Sequence, residues 1–90
     1  MDHRMMRLKS ITKNLVIPRS SLYAQIKDGV FPRPVPIGDR AVAWPQYEVE
    51  AIYFARIAGK SKDQMRSLVS SLHQQRESQA EYLKQSEAPK

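Results

Sequence analysis

Ninety residues at 10.4 kDa suffice for one small domain with a modest core, which leaves no room for a large enclosed catalytic cavity. Fifteen Lys and Arg stand against nine Asp and Glu, a net charge of +6, and cysteine is absent, so disulfides, thiol nucleophiles and thiolate metal sites are excluded. The basic balance favours anionic partners, nucleic acid before an anionic membrane.

Leu8, Ile11 and Leu15 recur at helical spacing around Ser10, a candidate N-cap, and predict a first helix of about two turns. Pro18 restricts Ile17 to extended backbone and stops that helix, while suiting the first turn of a second one over 18–28. Leu22 and Ile26 form the inward face of this second helix, and Gly29 suits a left-handed C-terminal cap. Pro32, Pro34 and Pro36 keep the next stretch out of helix. Val35 and Ile37, then Val42 and Trp44, alternate around Gly38, Asp39, Arg40 and Ala41, which predicts a β-hairpin with a polar tip and Pro36 on an edge strand.

Pro45 opens a third helix over 45–58, with Val49, Ile52, Tyr53 and Ile57 as its buried stripe and Gly59 as its stop. Ser61 and Gln64 form a capping-box signature for a fourth helix, with Met65, Leu68, Val69 and Leu72 as its apolar stripe. Two readings of that stripe stand: it folds back onto the chain's own core, or Met65, Leu68 and Leu72 form the seam of a homodimer. The Gln-rich half beyond Leu72 argues against a strong coiled coil. The expected division is one domain over 1–58, a C-terminal helix over 59–85 and a frayed tail over 86–90.

Charge is concentrated. Residues 4–40 hold eight Lys and Arg and two acids, whereas residues 41–90 hold seven and six. A concentrated surplus suggests a surface aimed at a polyanion. No apolar run is long enough to span a membrane and the N-terminus lacks the apolar stretch of a signal peptide, so a cytoplasmic protein is expected, nucleoid-associated if its polyanion is DNA. His3 and His73 are far apart, so no metal site is expected, Glu48 and Glu50 point different ways, and no serine has a base and orienting carboxylate. Neither an enzyme nor a cofactor is expected.

Short helix, tight turn, second helix, hairpin, third helix is the order of a winged helix-turn-helix, in which the second helix enters the major groove and the hairpin flanks it. The chain is then mainly α with a small β-hairpin and an added C-terminal helix. Arg19 at the start of the second helix and Arg40 at the hairpin tip are the leading DNA contacts, for base edge and for phosphate or minor groove respectively. Ser20, Ser21, Gln25 and Lys27 are further candidates, with Gln25 and Lys27 exposed by helical phase and Arg33 along the hairpin edge. Tyr23 is either a phosphate contact through its hydroxyl or a core residue. Phe31 and Trp44 read as core anchors rather than base-stacking rings.

Arg19-Ser20-Ser21-Leu22-Tyr23, Ile26-Lys27-Asp28-Gly29, Phe31-Pro32-Arg33-Pro34-Val35, the run from Gly38 to Trp44, and Glu48-Val49 resemble, in order and spacing, the AlpA family of prophage regulators. That family is similar to small excisionases and to the DNA-binding heads of MerR-type regulators. The resemblance covers about residues 7–57. It implies a sequence-specific regulator that binds double-stranded DNA, of prophage or mobile-element type, with RNA polymerase or an integrase as further partners. An excisionase that bends attachment-site DNA is the alternative, and a non-enzymatic protein-interaction adaptor the next. Two positions depart from the family: Val16 stands where glycine is usual in the turn, and Pro18 where a serine cap is usual. A β-branched residue is poorly suited to left-handed backbone, so the turn is expected to differ, with Asn14 taking the unusual conformation.

Overall fold

The computed structural model describes residues 4–86. A strand absent from the sequence expectations comes first: β1 (Met5–Arg7), followed at once by α1 (Leu8–Leu15) and α2 (Arg19–Lys27). The hairpin is β2 (Val35–Pro36) with β3 (Val42–Pro45), and α3 (Gln46–Ile57) and α4 (Lys62–Ser86) complete the chain. β3 is central in an antiparallel sheet of order β1-β3-β2, with Met6 opposite Trp44 on one side and Val35 opposite Ala43 on the other. Pro36 lies on an edge strand, as expected. The third strand gives the two-stranded hairpin a second partner, which a marginal ribbon needs.

Ser10 does not cap α1. The helix starts directly after Arg7, which makes no side-chain cap bond, and Ser10 lies inside it. The turn that follows also departs from expectation. Val16 itself, not Asn14, adopts the left-handed conformation, at φ 54° and ψ 49°, while Asn14 stays helical. The N–H groups of Val16 and Ile17 both reach the Thr12 carbonyl, which closes the helix. Extended Pro18 then caps α2, its carbonyl accepting the Leu22 N–H at 3.1 Å.

Gly29 at φ 81° and Gly59 at φ 76° end α2 and α3 in the left-handed backbone that glycine tolerates without steric cost. The reciprocal Ser61–Gln64 cap forms as predicted: the Ser61 N–H donates to Gln64 Oε1 at 2.9 Å and the Gln64 N–H to Ser61 Oγ at 3.2 Å. Ser86 closes α4, and the rest of the predicted tail, residues 87–90, lies outside the described residues, as does His3.

The core joins all these elements: Ile11, Leu22, Val30, Phe31, Trp44, Val49, Ile52, Met65, Val69 and Leu72 are buried together. Phe31 and Trp44 meet edge to face at 6.1 Å between centroids, as core anchors. α4 therefore follows the first of its two readings. Met65 and Leu72 are buried in the chain's own core, while Leu68 is half-buried.

The α3 stripe is corrected as well. Val49 and Ile52 are buried, but Tyr53 and Ile57 are exposed, together with Phe54. The inward position is taken instead by Glu48, whose side chain is wholly buried. Arg76 of α4 makes this tolerable, donating Nε to Glu48 Oε2 at 2.8 Å and Nη2 to Oε1 at 2.6 Å. A bidentate guanidinium satisfies a carboxylate that burial would otherwise strongly disfavour.

Candidate nucleic-acid interface

α2 turns Leu22 into the core and carries Ser21, Gln25 and Ile26 half-buried beside it. Its opposite face presents Arg19, Ser20, Tyr23, Ala24 and Lys27 to solvent. Tyr23 thus stands outside the core, and the Arg19 guanidinium lies over its ring at 5.8 Å from the centroid. Such stacking orders a long cationic side chain without neutralising it.

Arg19 and Tyr23 form one wall of a cleft of about 440 Å³. Arg7 of β1 and Leu8 and Lys9 of α1 form the second wall, and Arg40 at the hairpin tip and Val42 of β3 the third. Four of these lining residues are cations and none is an acid. Among the described residues, no carboxylate pairs with Arg7, Lys9, Arg19 or Arg40. An uncompensated set of guanidinium and ammonium groups around a concave surface raises the local positive potential and draws in a polyanion.

The fold therefore brings together Arg19, Tyr23 and Arg40 from the sequence-predicted set, with Ser20 and Lys27 on the adjoining face. It separates two others. Gln25 is not exposed: Arg56 of α3 donates Nη2 to its Oε1. Partial burial draws Arg56 down from the ordinary arginine pKa, and its guanidinium also lies over the Phe31 ring. Arg33 is exposed but lines a different groove, against Arg66, Ser70, His73 and Glu77 of α4.

Arg7 and Lys9 were missed by sequence reasoning. Helical and strand patterning around them is unremarkable, and they reach the cleft because β1 pairs with β3 and delivers the start of α1 beside the hairpin. The available signal was the density of bases before Lys13.

A short helix pair, a hairpin and a supporting third helix, with an uncompensated basic cleft between α2 and the hairpin, are compatible with a winged helix-turn-helix plus a C-terminal helix. Residues 4–52 match the family described as prophage CP4-57 regulatory protein (AlpA), and the chain belongs to that regulatory family. It is also similar to uncharacterized protein ORF88 of Enterobacteria phage P4, with 36% identity over 61 residues, 68% of this chain and 69% of the phage protein. No solved structure matches the chain. Among the described residues no helix is long and apolar enough to cross a membrane, and no group of His, Asp and Glu is placed to hold a metal.

Proposed function

We propose that the chain is a sequence-specific regulator that binds double-stranded DNA, with α2 in the major groove and the hairpin on the flanking backbone. The observation that carries this reading is the convergence of Arg7, Lys9, Arg19 and Arg40 on one cleft beside the exposed face of α2. Arg7, Lys9 and Arg40 neutralise phosphates, which supplies salt-dependent affinity and fixes the register. Arg19, at the first turn of α2, reads a base edge, its planar fork suited to guanine. Ser20, Tyr23 and Lys27 contribute hydroxyl and ammonium contacts on either side, whereas Ser21 is turned toward the core side of α2. The mechanism is binding without chemistry.

The test is fluorescence anisotropy with a labelled duplex recovered by the wild-type chain from a random-sequence pool, against an unselected duplex. Arg19→Ala should lose about 1–3 kcal/mol of discrimination between the two duplexes. Arg40→Ala should weaken both equally. Wild-type-like binding by both variants would remove the cleft from consideration as the DNA interface.

A further inference from the structure

The family match ends at residue 52, whereas α4 runs over Lys62–Ser86, so α4 lies wholly beyond it. Even so, α4 is tied to both elements that frame the basic cleft. Near its start, Arg66 donates Nε to the Asp28 carbonyl and Nη2 to Asp28 Oδ1, each at 3.1 Å, at the C-terminal end of α2. Lys62 adds an ammonium 3.6 Å from Asp28 Oδ2. Met65, Val69 and Leu72 then anchor the helix in the core.

Beyond that anchor, α4 holds the backbone of one residue from both ends. The Arg33 N–H donates to His73 Nε2 at 3.2 Å, and the Arg33 carbonyl accepts Arg76 Nη2 at 2.8 Å. Arg76 is itself fixed, because the same guanidinium holds the buried Glu48 carboxylate. Arg33 lies between Pro32 and Pro34, whose φ angles are locked by their rings. The Pro32 carbonyl is also held, by the Trp44 indole N–H at 2.7 Å. A stiff segment clamped this way leads directly into β2, and so to the hairpin tip that carries Arg40.

We propose that His73 and Arg76 are positioning residues for DNA recognition, gripping Arg33 so as to set where the hairpin stands relative to α2. They thereby fix where Arg40 meets the duplex relative to Arg19. This proposal rests on the reading of the cleft as the DNA interface. The grip has a built-in condition: His73 Nε2 accepts a hydrogen bond only while it carries no proton. Arg33 faces the imidazole from the segment before β2, Glu48 from α3, and Arg76 from its own helix; Arg66 and Glu77 line the same groove. Partial burial, then Arg33 and Arg76, hold His73 below the ordinary histidine value, so the grip is closed at neutral pH and opens on acidification.

The experiment uses the full chain and the selected duplex, with anisotropy measured at pH 7.5 and 5.5 over a range of salt. Backbone amide exchange at Arg33 is followed in parallel. His73→Ala should bind the selected duplex about tenfold more weakly at pH 7.5, with the salt slope reduced by about one as Arg40 loses its phosphate. The wild type should lose affinity toward the His73→Ala level as the pH falls below the ordinary histidine range, and the His73→Ala profile should be flatter. That direction is informative, because protonation of a basic protein would by simple attraction strengthen DNA binding. Arg76→Lys, which keeps a cation for Glu48 but not the fork, should reproduce the loss while remaining folded by circular dichroism. The Arg33 amide should exchange faster in both variants.

Unchanged affinity, pH profile and Arg33 exchange in His73→Ala and Arg76→Lys, while Arg40→Ala weakens binding, would overturn the positioning role and leave the DNA reading standing. Insensitivity of binding to Arg19→Ala and Arg40→Ala would instead overturn the DNA reading, and the positioning role with it.

Discussion

Trp44 donates its indole N–H to the Pro32 carbonyl at 2.7 Å, with both residues wholly buried. The bond joins the central strand to the segment between α2 and the hairpin, and it gives the indole the partner that a buried N–H requires. Trp44→Phe keeps a ring against Phe31 but leaves the Pro32 carbonyl without its donor and a space where the indole stood. It should cost about 1–3 kcal/mol from the orphaned carbonyl alone, read as a lower urea midpoint. A midpoint equal to the wild type would mean that the bond contributes nothing net.

Val16 is the one non-glycine residue with positive φ among those described, and it is 86% exposed. Left-handed backbone costs an L-residue about 1–2 kcal/mol, whereas glycine adopts it freely. Its side chain has little packing to lose. Val16→Gly should therefore stabilise the fold by about 1 kcal/mol after glycine's greater unfolded-state entropy is discounted, seen as a raised melting temperature. A lowered melting temperature would show that the Val16 methyl groups have a compensating contact. The conformation of this turn was not legible from the sequence. Local sterics pointed to Asn14, but the helix on one side and Pro18 on the other fix the chain's path, and Val16 absorbs the strain.

The buried Glu48–Arg76 pair is the second place where local reasoning failed. Helical phase assigned Tyr53 and Ile57 to the core, and nothing local marked Glu48 as a buried carboxylate. Its partner lies 28 residues away on another helix, which no local pattern reveals. Arg76→Met should cost about 3–5 kcal/mol by stranding the carboxylate, whereas Glu48→Gln with Arg76→Met should cost less than the single change. Strict additivity in a urea-unfolding cycle would show that the two side chains are not coupled.

Elements with strong local signals were legible: α4 from its Ser61–Gln64 cap, the ends of α2 and α3 from Gly29 and Gly59, the hairpin from its alternation. Arg19 and Arg40 were legible for the same reason, since each sits at a predicted helix start or hairpin tip. Arg7 and Lys9 were not, because a three-residue strand is defined by its pairing with β3 rather than by its own pattern. The placement separates two groups of variants in DNA binding. Arg7→Ala and Lys9→Ala should each lower the salt slope by about one without altering sequence preference. Gln25→Ala and Arg33→Ala should leave the slope unchanged, since Gln25 is engaged by Arg56 and Arg33 points to the α4 groove. A slope reduced by Arg33→Ala and untouched by Arg7→Ala would move the interface to the other side of the hairpin.

Acid should weaken the fold in two separate steps. His73 is held below its ordinary 6.5 by partial burial first and by Arg33 and Arg76 second. The unfolded chain therefore takes up this proton before the folded one. The contribution is complete above about pH 6.5 and declines as the pH falls through the lower folded value. Asp28 is held below its ordinary 3.8, chiefly by the Arg66 hydrogen bond and charge, with Lys62 assisting. Its contribution is complete above about pH 3.8 and is lost further into acid. Urea unfolding of the wild type should accordingly show a decline in stability setting in below pH 6.5 that His73→Gln lacks. A further decline, setting in below pH 3.8, should be absent from Asp28→Asn. A His73→Gln curve parallel to the wild type across the first window would mean that the Arg33 N–H is not held by an imidazole that must stay neutral.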